Sequence, residues 1–383
     1  MSDTDKSFSP KTVYSVAGGH LFHDLFSSFL APLLPEIIRK LSLSLTSAGA
    51  LTTLIRLPAL FNPLLGYLAD KTGARYFVIL APGLTATFMS LIGASPSIWS
   101  LALLLVMAGI SIAMFHAPSP AMIGDTAGEK VGFGMSLFMA GGGIGRTIGP
   151  LLIVWAIGMW GLEGTYRLMI IGWLSSIVLL WQLRNVDITA HETPPLWDNL
   201  PAFRSFFLPL TGILFLRNFL MVALTTFLPT YMRQSGAPLW IAGASLSTLE
   251  LSGVAGSLVI GPLSDRIGRR KTLMLAMAVS GVTILGFLQV AGWMVVPFLI
   301  ILGLSIKSTG TVFLALVQDH FQSNRATGNG MYMLLSFLTN AAMLVLIGVI
   351  GDLASLRTAY YISSLTAFLT LPALLTLPAE DVV

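Results

Sequence analysis

Three ionisable side chains near the start of the chain lie in a stretch that is otherwise apolar. His20, His23 and Asp24 are spaced i, i+3 and i+4, so a helix would place all three on one face. Histidine titrates near neutral pH, and a carboxyl group in an apolar environment can also take up a proton. The spacing therefore predicts a proton-carrying or substrate-binding group. A polar network that fixes helix packing, and a metal site completed by His116, are the alternative interpretations.

Other charged side chains interrupt apolar stretches further along the chain. A charge inside hydrocarbon is costly and rare, so each of these residues is a candidate functional residue. The candidates are one acid, Glu250, and the basic residues Arg56, Arg146, Arg217 and Lys307. We expect Glu250 to carry protons together with the group around Asp24.

The basic candidates outnumber the acidic ones, which predicts a net positive interior and an anionic substrate. Guanidinium groups bind carboxylate or phosphonate through two parallel hydrogen bonds. We therefore predict substrate contacts from the four basic residues and from His116, although helix packing is an equal interpretation for each basic residue alone. Arg56 and Glu250 precede two matching loops at similar distances, so they could pair across a central cavity or bond locally.

The composition indicates that the elements holding these residues are membrane helices. The chain is 55% hydrophobic and 10% charged, whereas soluble domains carry about a quarter charged residues. It has no cysteine, which excludes disulfides and thiolate metal sites. The net charge is +4, but the basic residues cluster at helix ends and form no single stripe. We therefore expect no nucleic-acid partner.

Apolar runs of about 20 residues are long enough to cross a bilayer as helices. We place twelve such spans in the sequence, at 13–38, 46–69, 76–94, 98–122, 131–158, 166–183, 206–232, 240–262, 272–289, 294–316, 328–351 and 357–378. The predicted fold class is an all-α membrane protein with twelve transmembrane helices in two six-helix halves. The predicted domains are an N-terminal half at 1–183, a cytoplasmic linker at 184–205 and a C-terminal half at 206–383.

The distribution of lysine and arginine predicts the orientation of these spans. Most basic residues outside the spans fall on the side that holds the N-terminus, so the positive-inside rule places both termini in the cytoplasm. The polar N-terminal residues contain no cleavable signal pattern. Compact loops and short tails favour an integral protein of a bacterial inner membrane.

A short charged loop rich in glycine occurs once in each half. The first loop contains Gly66, Asp70, Lys71, Gly73 and Arg75, and the second contains Gly261, Asp265, Arg266, Gly268 and Arg269. Each follows an apolar run, and the two lie about half a chain apart. Two six-helix halves in parallel repeat are typical of transporters that move around a central site.

These loops resemble the signature of the major facilitator superfamily, and the resemblance covers essentially the whole chain. Phe115-His116-Ala-Pro118 and the glycine-rich run from Gly141 to Pro150 are similar to the fosmidomycin-resistance branch of its drug exporters. Within that run, Gly145-x-x-x-Gly149-Pro150 looks like part of the motif that antiporters carry in helix 5. Ordinary packing of small residues is the alternative interpretation.

The resemblance implies a monomeric secondary active transporter in lipid. The predicted activity is proton-coupled antiport that exports a small anionic or amphiphilic compound by alternating access. The resemblance to this family also implies that the Asp70 carboxylate contacts a helix N-terminus near Gly328 and holds the two halves together on the cytoplasmic side. The sequence contains no dinucleotide fingerprint and no nucleotide phosphate-binding loop, so we expect no enzyme activity and no cofactor.

Two other functions compete with proton-coupled export. The first is a metal-ion or nutrient carrier of the same fold, with His20, His23, Asp24 and His116 as ligands. We nevertheless predict no metal site, because cationic side chains are abundant and thiolates are absent. The second is a sensor or lipid-scrambling protein that transports no solute.

Overall fold

The computed structural model describes residues 8–61, 74–186, 200–321 and 325–377. These residues form helices joined by short turns, and the described part of the chain contains no strand. This agrees with the predicted all-α fold class. The first signature loop from Gly66 to Gly73 and the middle of the predicted linker lie outside the described residues.

The helices follow one another along the chain with few connecting residues. In the first part of the chain they are α1 (Pro10–Ser27), α2 (Leu30–Leu41), α3 (Leu45–Leu54), α4 (Ala74–Leu91), α5 (Ile98–His116), α6 (Ser119–Thr126), α7 (Val131–Trp160) and α8 (Met169–Leu183). In the second part they are α9 (Leu200–Thr225), α10 (Leu228–Gln234), α11 (Leu239–Ile267), α12 (Arg269–Phe287), α13 (Val295–Leu302), α14 (Thr309–His320), α15 (Arg325–Leu353) and α16 (Leu356–Leu374).

Ten helices within the described residues are long and apolar enough to cross a membrane. They correspond to ten of the twelve predicted spans. Of the other two, the span at 46–69 begins with α3 and continues into residues that are not described. The span at 357–378 corresponds to α16, an apolar helix of 19 residues. The count of twelve therefore stays a prediction.

The chain divides into two compact units. The first unit comprises 1–43 and 51–191, and the second comprises 44–50 and 192–383. Residues 44–50 belong to the second unit, where the Asp352 carboxylate accepts hydrogen bonds from the backbone N–H groups of Leu45 (2.7 Å) and Thr46 (2.8 Å). This carboxylate caps the exposed N–H groups at the start of α3.

Proline interrupts several predicted spans near the candidate charged residues. The predicted helix at 13–38 breaks between α1 and α2, and Pro32, in the first turn of α2, has no backbone N–H to donate back across the break. The predicted helix at 98–122 ends its first segment at His116, just before Pro118. α3 ends at Leu54, two residues before Arg56. These breaks place candidate side chains at helix ends, where backbone groups are available for side-chain hydrogen bonds.

Glycines on one face of α7 allow it to pack closely against α1. Gly141, Gly145 and Gly149 recur every four residues, which places them on one helical face. A Cβ atom on each would collide with backbone carbonyl oxygens of α1, those of Ala17, Leu21 and Leu25 respectively. The structure thus shows backbone-to-backbone packing at the motif that sequence analysis identified. An antiport role of this motif stays a proposal.

A similar arrangement holds α11 in the second unit. Its Gly253 and Gly256 pack against a π-helical segment, Gly303–Lys307, which separates α13 from α14. A Cβ at Gly256 would meet the Leu304 carbonyl oxygen at 2.5 Å. Single π-helical turns inside α-helices are frequent at functional sites, and this one ends on the candidate residue Lys307.

We predict that Gly145→Ala destabilises the protein by about 1–3 kcal/mol, because the new methyl group must push α1 away from α7. The measurement is thermal unfolding of the purified variant in detergent. Gly158→Ala is the matched control on the same helix, since a Cβ there meets no atom within 4 Å. Equal unfolding temperatures for the two variants would contradict the packing argument.

Candidate functional site

Asp24 is the centre of a polar cluster inside the first unit. Its side chain, on α1, is only about 2% exposed. Arg146 of α7 pairs with its Oδ2 atom. The Nε2 atom of His20 lies 3.3 Å from Oδ2, and the Nε2 atom of His116, on α5, lies 3.5 Å from Oδ1. One buried carboxylate therefore faces a guanidinium and two imidazoles from three different helices.

The glycine face of α7 makes room for this cluster. A Cβ at Gly142 would lie 2.5 Å from the His20 ring and 2.8 Å from the Asp24 Oδ2 atom. Gly145, which contacts the α1 backbone, directly precedes Arg146 in the sequence. Close packing of the two helices is thus what brings the guanidinium to the carboxylate.

Backbone carbonyl groups fix the proton on one nitrogen of each imidazole. The Nδ1 atom of His20 lies 2.7 Å from the Phe138 carbonyl oxygen, and that of His116 lies 3.0 Å from the Ile112 carbonyl oxygen. A carbonyl oxygen only accepts hydrogen bonds, so both Nδ1 atoms carry a hydrogen. Both rings therefore turn Nε2 towards the oxygens of Asp24.

This geometry provides a position for an additional proton. In a neutral ring with its hydrogen on Nδ1, the Nε2 atom is an acceptor and cannot donate to a carboxylate. The approach of His20 Nε2 to Asp24 becomes a hydrogen bond when either the imidazole or the carboxyl group gains one proton. An added proton would therefore find acceptor positions on His20, His116 and Asp24.

His23 lies beside the cluster without bonding to the carboxylate. Its ring stacks on Phe115 at 4.5 Å between centroids, and its Nδ1 atom lies 3.3 Å from the Thr85 hydroxyl. The Thr85 hydroxyl also lies 2.7 Å from that of Ser111. The i, i+4 pair of the predicted triplet meets in the structure, whereas His23 belongs to a separate hydroxyl network.

Three residues of the predicted metal-ligand set also come together. Ligand atoms of His20, Asp24 and His116 all lie within 4.8 Å of one another, and the two imidazoles present unprotonated nitrogens. Arg146 already pairs with the same carboxylate. A divalent cation at this place would be repelled by that guanidinium and would have to compete with it for the Asp24 oxygens.

Glu250 of α11 pairs with Lys307 in the second unit. The Lys307 ammonium lies 2.5 Å from Oε1 and 2.6 Å from Oε2 of Glu250. A Cβ at Gly253, one turn along α11, would lie 2.8 Å from the Lys307 side chain, so the glycine allows this approach. Glu250 thus bonds within its own unit, which is the local alternative to pairing with Arg56. The Arg56–Glu250 pair stays a prediction.

Arg217 of α9 has neutral hydrogen-bond partners. Its side chain is about 4% exposed, and it donates to the Thr309 hydroxyl at 2.9 Å and to the Asn218 amide oxygen at 2.7 Å. Among the residues that the structure describes, no carboxylate pairs with it. It therefore differs from Arg146 and Lys307, each of which pairs with an acid.

Arg56 lies at a helix break in the first unit. Its Nε atom is buried and has no hydrogen-bond partner within the described ranges. Arg75, the last residue of the first signature loop, donates to the Val186 carbonyl oxygen at 3.2 Å. The other predicted members of that loop, Gly66, Asp70, Lys71 and Gly73, lie outside the described residues.

The second signature loop joins α11 to α12. Asp265 pairs with Arg269, whose Nε atom donates to the Asp319 carboxylate at 3.0 Å. Gly268 has a φ angle of +93°, which residues with a Cβ rarely adopt. Gly261 and Asp265 lie in the last turns of α11, Gly268 separates the two helices, and Arg269 begins α12. The predicted loop is therefore mostly helical. A gating role of this loop and of Arg266 stays a prediction.

Sequence reasoning missed the neutral groups that orient the charged ones. The Phe138 and Ile112 carbonyl oxygens fix the imidazoles, and Asn218 and Thr309 fix Arg217. Backbone acceptors leave no signal in a sequence. Asn218 does leave a signal in the sequence, because it is a polar residue next to a candidate arginine in an apolar helix.

We predict that Glu250→Gln destabilises the protein by about 3–5 kcal/mol, because it leaves the Lys307 ammonium largely buried without its anion. The measurement is a double-mutant cycle of thermal unfolding in detergent. The double variant Glu250→Gln with Lys307→Met should recover most of the lost stability, because both charges are then absent. Strictly additive losses would show that the two side chains do not interact.

The chain is similar to known membrane transporters over nearly its whole length. A model of the Major Facilitator Superfamily matches residues 16–257 and 243–382. The fosmidomycin resistance protein of Escherichia coli strain K12 is 24% identical over 97% of this chain and 94% of its own. The class G tetracycline resistance protein of Vibrio anguillarum is 25% identical over 71% of this chain and 73% of its own.

Solved structures agree on the fold. The nucleoside transporter NupG superposes with a TM-score of 0.75 at 17% identity, covering 95% of this chain and 99% of the other. An inward-facing, occupied bacterial homologue of the human lysosomal transporter Spinster gives a TM-score of 0.76 at 14% identity, covering 95% and 94%. The match to the family model confirms the family prediction, and with it the expectation that the chain is a transporter and no enzyme. The chain is an integral membrane protein that belongs to the Major Facilitator Superfamily of transporters.

Proposed function

We propose that this transporter exports a small anionic or amphiphilic compound in exchange for protons. The observation that carries this proposal is the Asp24 cluster. Two imidazoles with fixed Nδ1 hydrogens face one buried carboxylate, so the cluster can gain or lose a proton without rearranging its backbone. Such a change alters the charge beside Arg146 by one unit.

The Asp24–Arg146 ion pair links that proton to the substrate. When the carboxylate is charged it neutralises the guanidinium, and when a proton neutralises it, Arg146 becomes available to an anion. About a third of the Arg146 side chain and of the His116 side chain is exposed in the isolated structure. Both are therefore accessible to a ligand, whereas His20 and Asp24 are buried behind them.

Similarity to drug-resistance proteins supports export as the direction of transport. Two relatives of this chain are named as fosmidomycin and tetracycline resistance proteins. Fosmidomycin is a phosphonate, an anion that the basic candidate residues of this chain could bind. We propose that Arg56, Arg217 and Lys307 line the substrate path. We also propose that Glu250 is a second proton carrier, whose carboxylate forms an ion pair with Lys307 when it is charged.

The remaining features of the proposal concern architecture. We propose a monomer in a bacterial inner membrane, with both termini in the cytoplasm and an N-terminal half at 1–183, a linker at 184–205 and a C-terminal half at 206–383. The two signature loops act as gates that hold the halves in alternating arrangements. The ion pairs of Asp265 and Asp319 with Arg269 support a structured second gate.

A metal-ion carrier is the second candidate, and the group formed by His20, Asp24 and His116 favours it. Under the proton proposal, calorimetric titration with Zn²⁺ or Mn²⁺ should give no binding that depends on these residues. Saturable metal binding that disappears in His116→Ala would instead support a metal carrier and contradict our assignment.

We predict that Asp24→Asn abolishes proton coupling, because a neutral amide cannot exchange a proton with the imidazoles. The measurement uses protein in liposomes with a pH-sensitive dye inside, an imposed pH gradient, and fosmidomycin or methylphosphonate as added substrate. Substrate-dependent proton flux should fall at least about tenfold relative to the wild type.

Glu163→Gln is the matched control, because Glu163 is an exposed acid of the same unit that pairs with Lys40. Its proton flux should equal that of the wild type. Coupling that persists unchanged in Asp24→Asn would contradict the assignment of the proton to this cluster. If the wild type showed no proton flux in response to any of a panel of anions, the proposed class of anionic substrates would be contradicted.

A further inference from the structure

We infer that Arg217 is the receptor for the anionic group of the transported molecule. The inference deepens the proposed function and rests on its anionic substrate class. It selects Arg217 over Arg146 and Lys307, the two basic candidates that pair with acids, and it predicts a ligand that carries a forked oxyanion such as a carboxylate or phosphonate. The choice of Arg217 follows from comparing which basic candidates already pair with a carboxylate.

Local acids already occupy two of the four cations. Arg146 pairs with Asp24, and Lys307 contacts both oxygens of Glu250. An anion that binds either residue must compete with a carboxylate held in the same unit. Arg217 has no such competitor among the described residues, since its hydrogen bonds go to an amide and a hydroxyl.

The neutral partners of Arg217 fix its orientation. The Thr309 hydroxyl donates to the Ile306 carbonyl oxygen at 2.6 Å, so its oxygen lone pairs remain to accept from Arg217 Nε. The Asn218 amide nitrogen donates to the Thr339 hydroxyl at 2.7 Å, which leaves the amide oxygen to accept from Nη1. Each group has one consistent donor and acceptor assignment, and the guanidinium plane is therefore fixed before a ligand arrives.

Two of the five guanidinium hydrogens are used in these bonds, and three remain on Nη1 and Nη2. Gly310 faces Nη2, and a Cβ at that position would lie 3.7 Å from the atom. Position 310 therefore places no side chain against Nη2, one of the two nitrogens that would bind an oxyanion.

A buried cation without an anion is unstable in an apolar environment, because its desolvation is not repaid by an opposite charge. Neutral hydrogen-bond acceptors compensate only part of this loss. An entering oxyanion would complete the compensation, with two parallel charge-assisted hydrogen bonds of the kind that guanidinium forms best. The arrangement thus favours binding of an anion over the empty state.

The test is a binding measurement that needs no ion gradient. Purified protein in detergent, in a buffer free of oxyanions, is titrated with methylphosphonate and with its uncharged dimethyl ester, and the thermal unfolding temperature is followed. Methylphosphonate should stabilise the wild type in a saturable manner, and the ester should not. Absence of stabilisation by methylphosphonate would overturn the inference.

Variants identify the residue. Arg217→Gln and Arg217→Lys should each weaken methylphosphonate binding about 10- to 100-fold, because the first removes the charge and the second removes the fork. Arg233→Gln is the matched control, an exposed arginine of the same unit, and should bind like the wild type. Unchanged binding in both Arg217 variants would overturn the inference.

A second pair of variants leaves the arginine in place. Gly310→Leu should weaken binding at least tenfold by filling the space before Nη2, whereas Gly310→Ala, at ordinary contact distance, should have little effect. Equal binding by the two would overturn the inference. Competition by phosphatidylglycerol for the same site would identify a lipid headgroup as the ligand and would also overturn it.

Failure of this inference can be distinguished from failure of the proposed function. Binding that depends on Arg217, combined with no substrate-dependent proton flux in liposomes, would retain the anion receptor and reject antiport. Normal flux in Arg217→Gln, with an unchanged half-saturating methylphosphonate concentration, would retain antiport and reject the receptor.

Discussion

The negative charge of Asp24 in an apolar helix bundle is the constraint on which the first unit depends. An isolated carboxylate is far less stable there than in water, so it must be paired or protonated. Arg146 and two imidazoles supply that compensation. The approach of Arg146 requires α1 and α7 to pack at backbone distance, which the glycines at 141, 145 and 149 allow. The helix packing and the candidate chemistry are therefore consequences of one requirement.

The second unit meets the same requirement in a different way. Glu250 is compensated by a lysine on a π-helical segment of the same unit. Among the described residues, the hydrogen-bond partners of Arg217 are neutral groups. We propose that the Asp24 carboxylate of one unit exchanges a proton, and no carboxylate in the described part of the chain pairs with the Arg217 cation of the other. These are the two properties that exchange of a proton for an anionic solute requires.

Much of the architecture could be predicted from the sequence, because apolar length and repeated charged loops are local signals. The i, i+4 spacing of His20 and Asp24 correctly predicted that they would meet, since α-helical geometry fixes that distance. The sequence did not predict that His23 would lie apart from the Asp24 cluster. One helical face can contact two neighbouring helices, so residues on the same face can have different partners. The partners Arg146 and Lys307 could not be assigned either. Those pairs depend on the register of helices far apart in the chain, and in one case on a π-helical segment that shifts the register.

The most direct test of the account is to measure protons exchanged when substrate binds, without any membrane gradient. Wild-type protein and Asp24→Asn are placed in weakly buffered detergent solution with a pH-sensitive dye, and methylphosphonate is added at a fixed pH. The account predicts a proton exchange that saturates with methylphosphonate in the wild type and is absent in Asp24→Asn, although the variant still binds the anion. An equal proton exchange in the two proteins would contradict the central role of the Asp24 cluster.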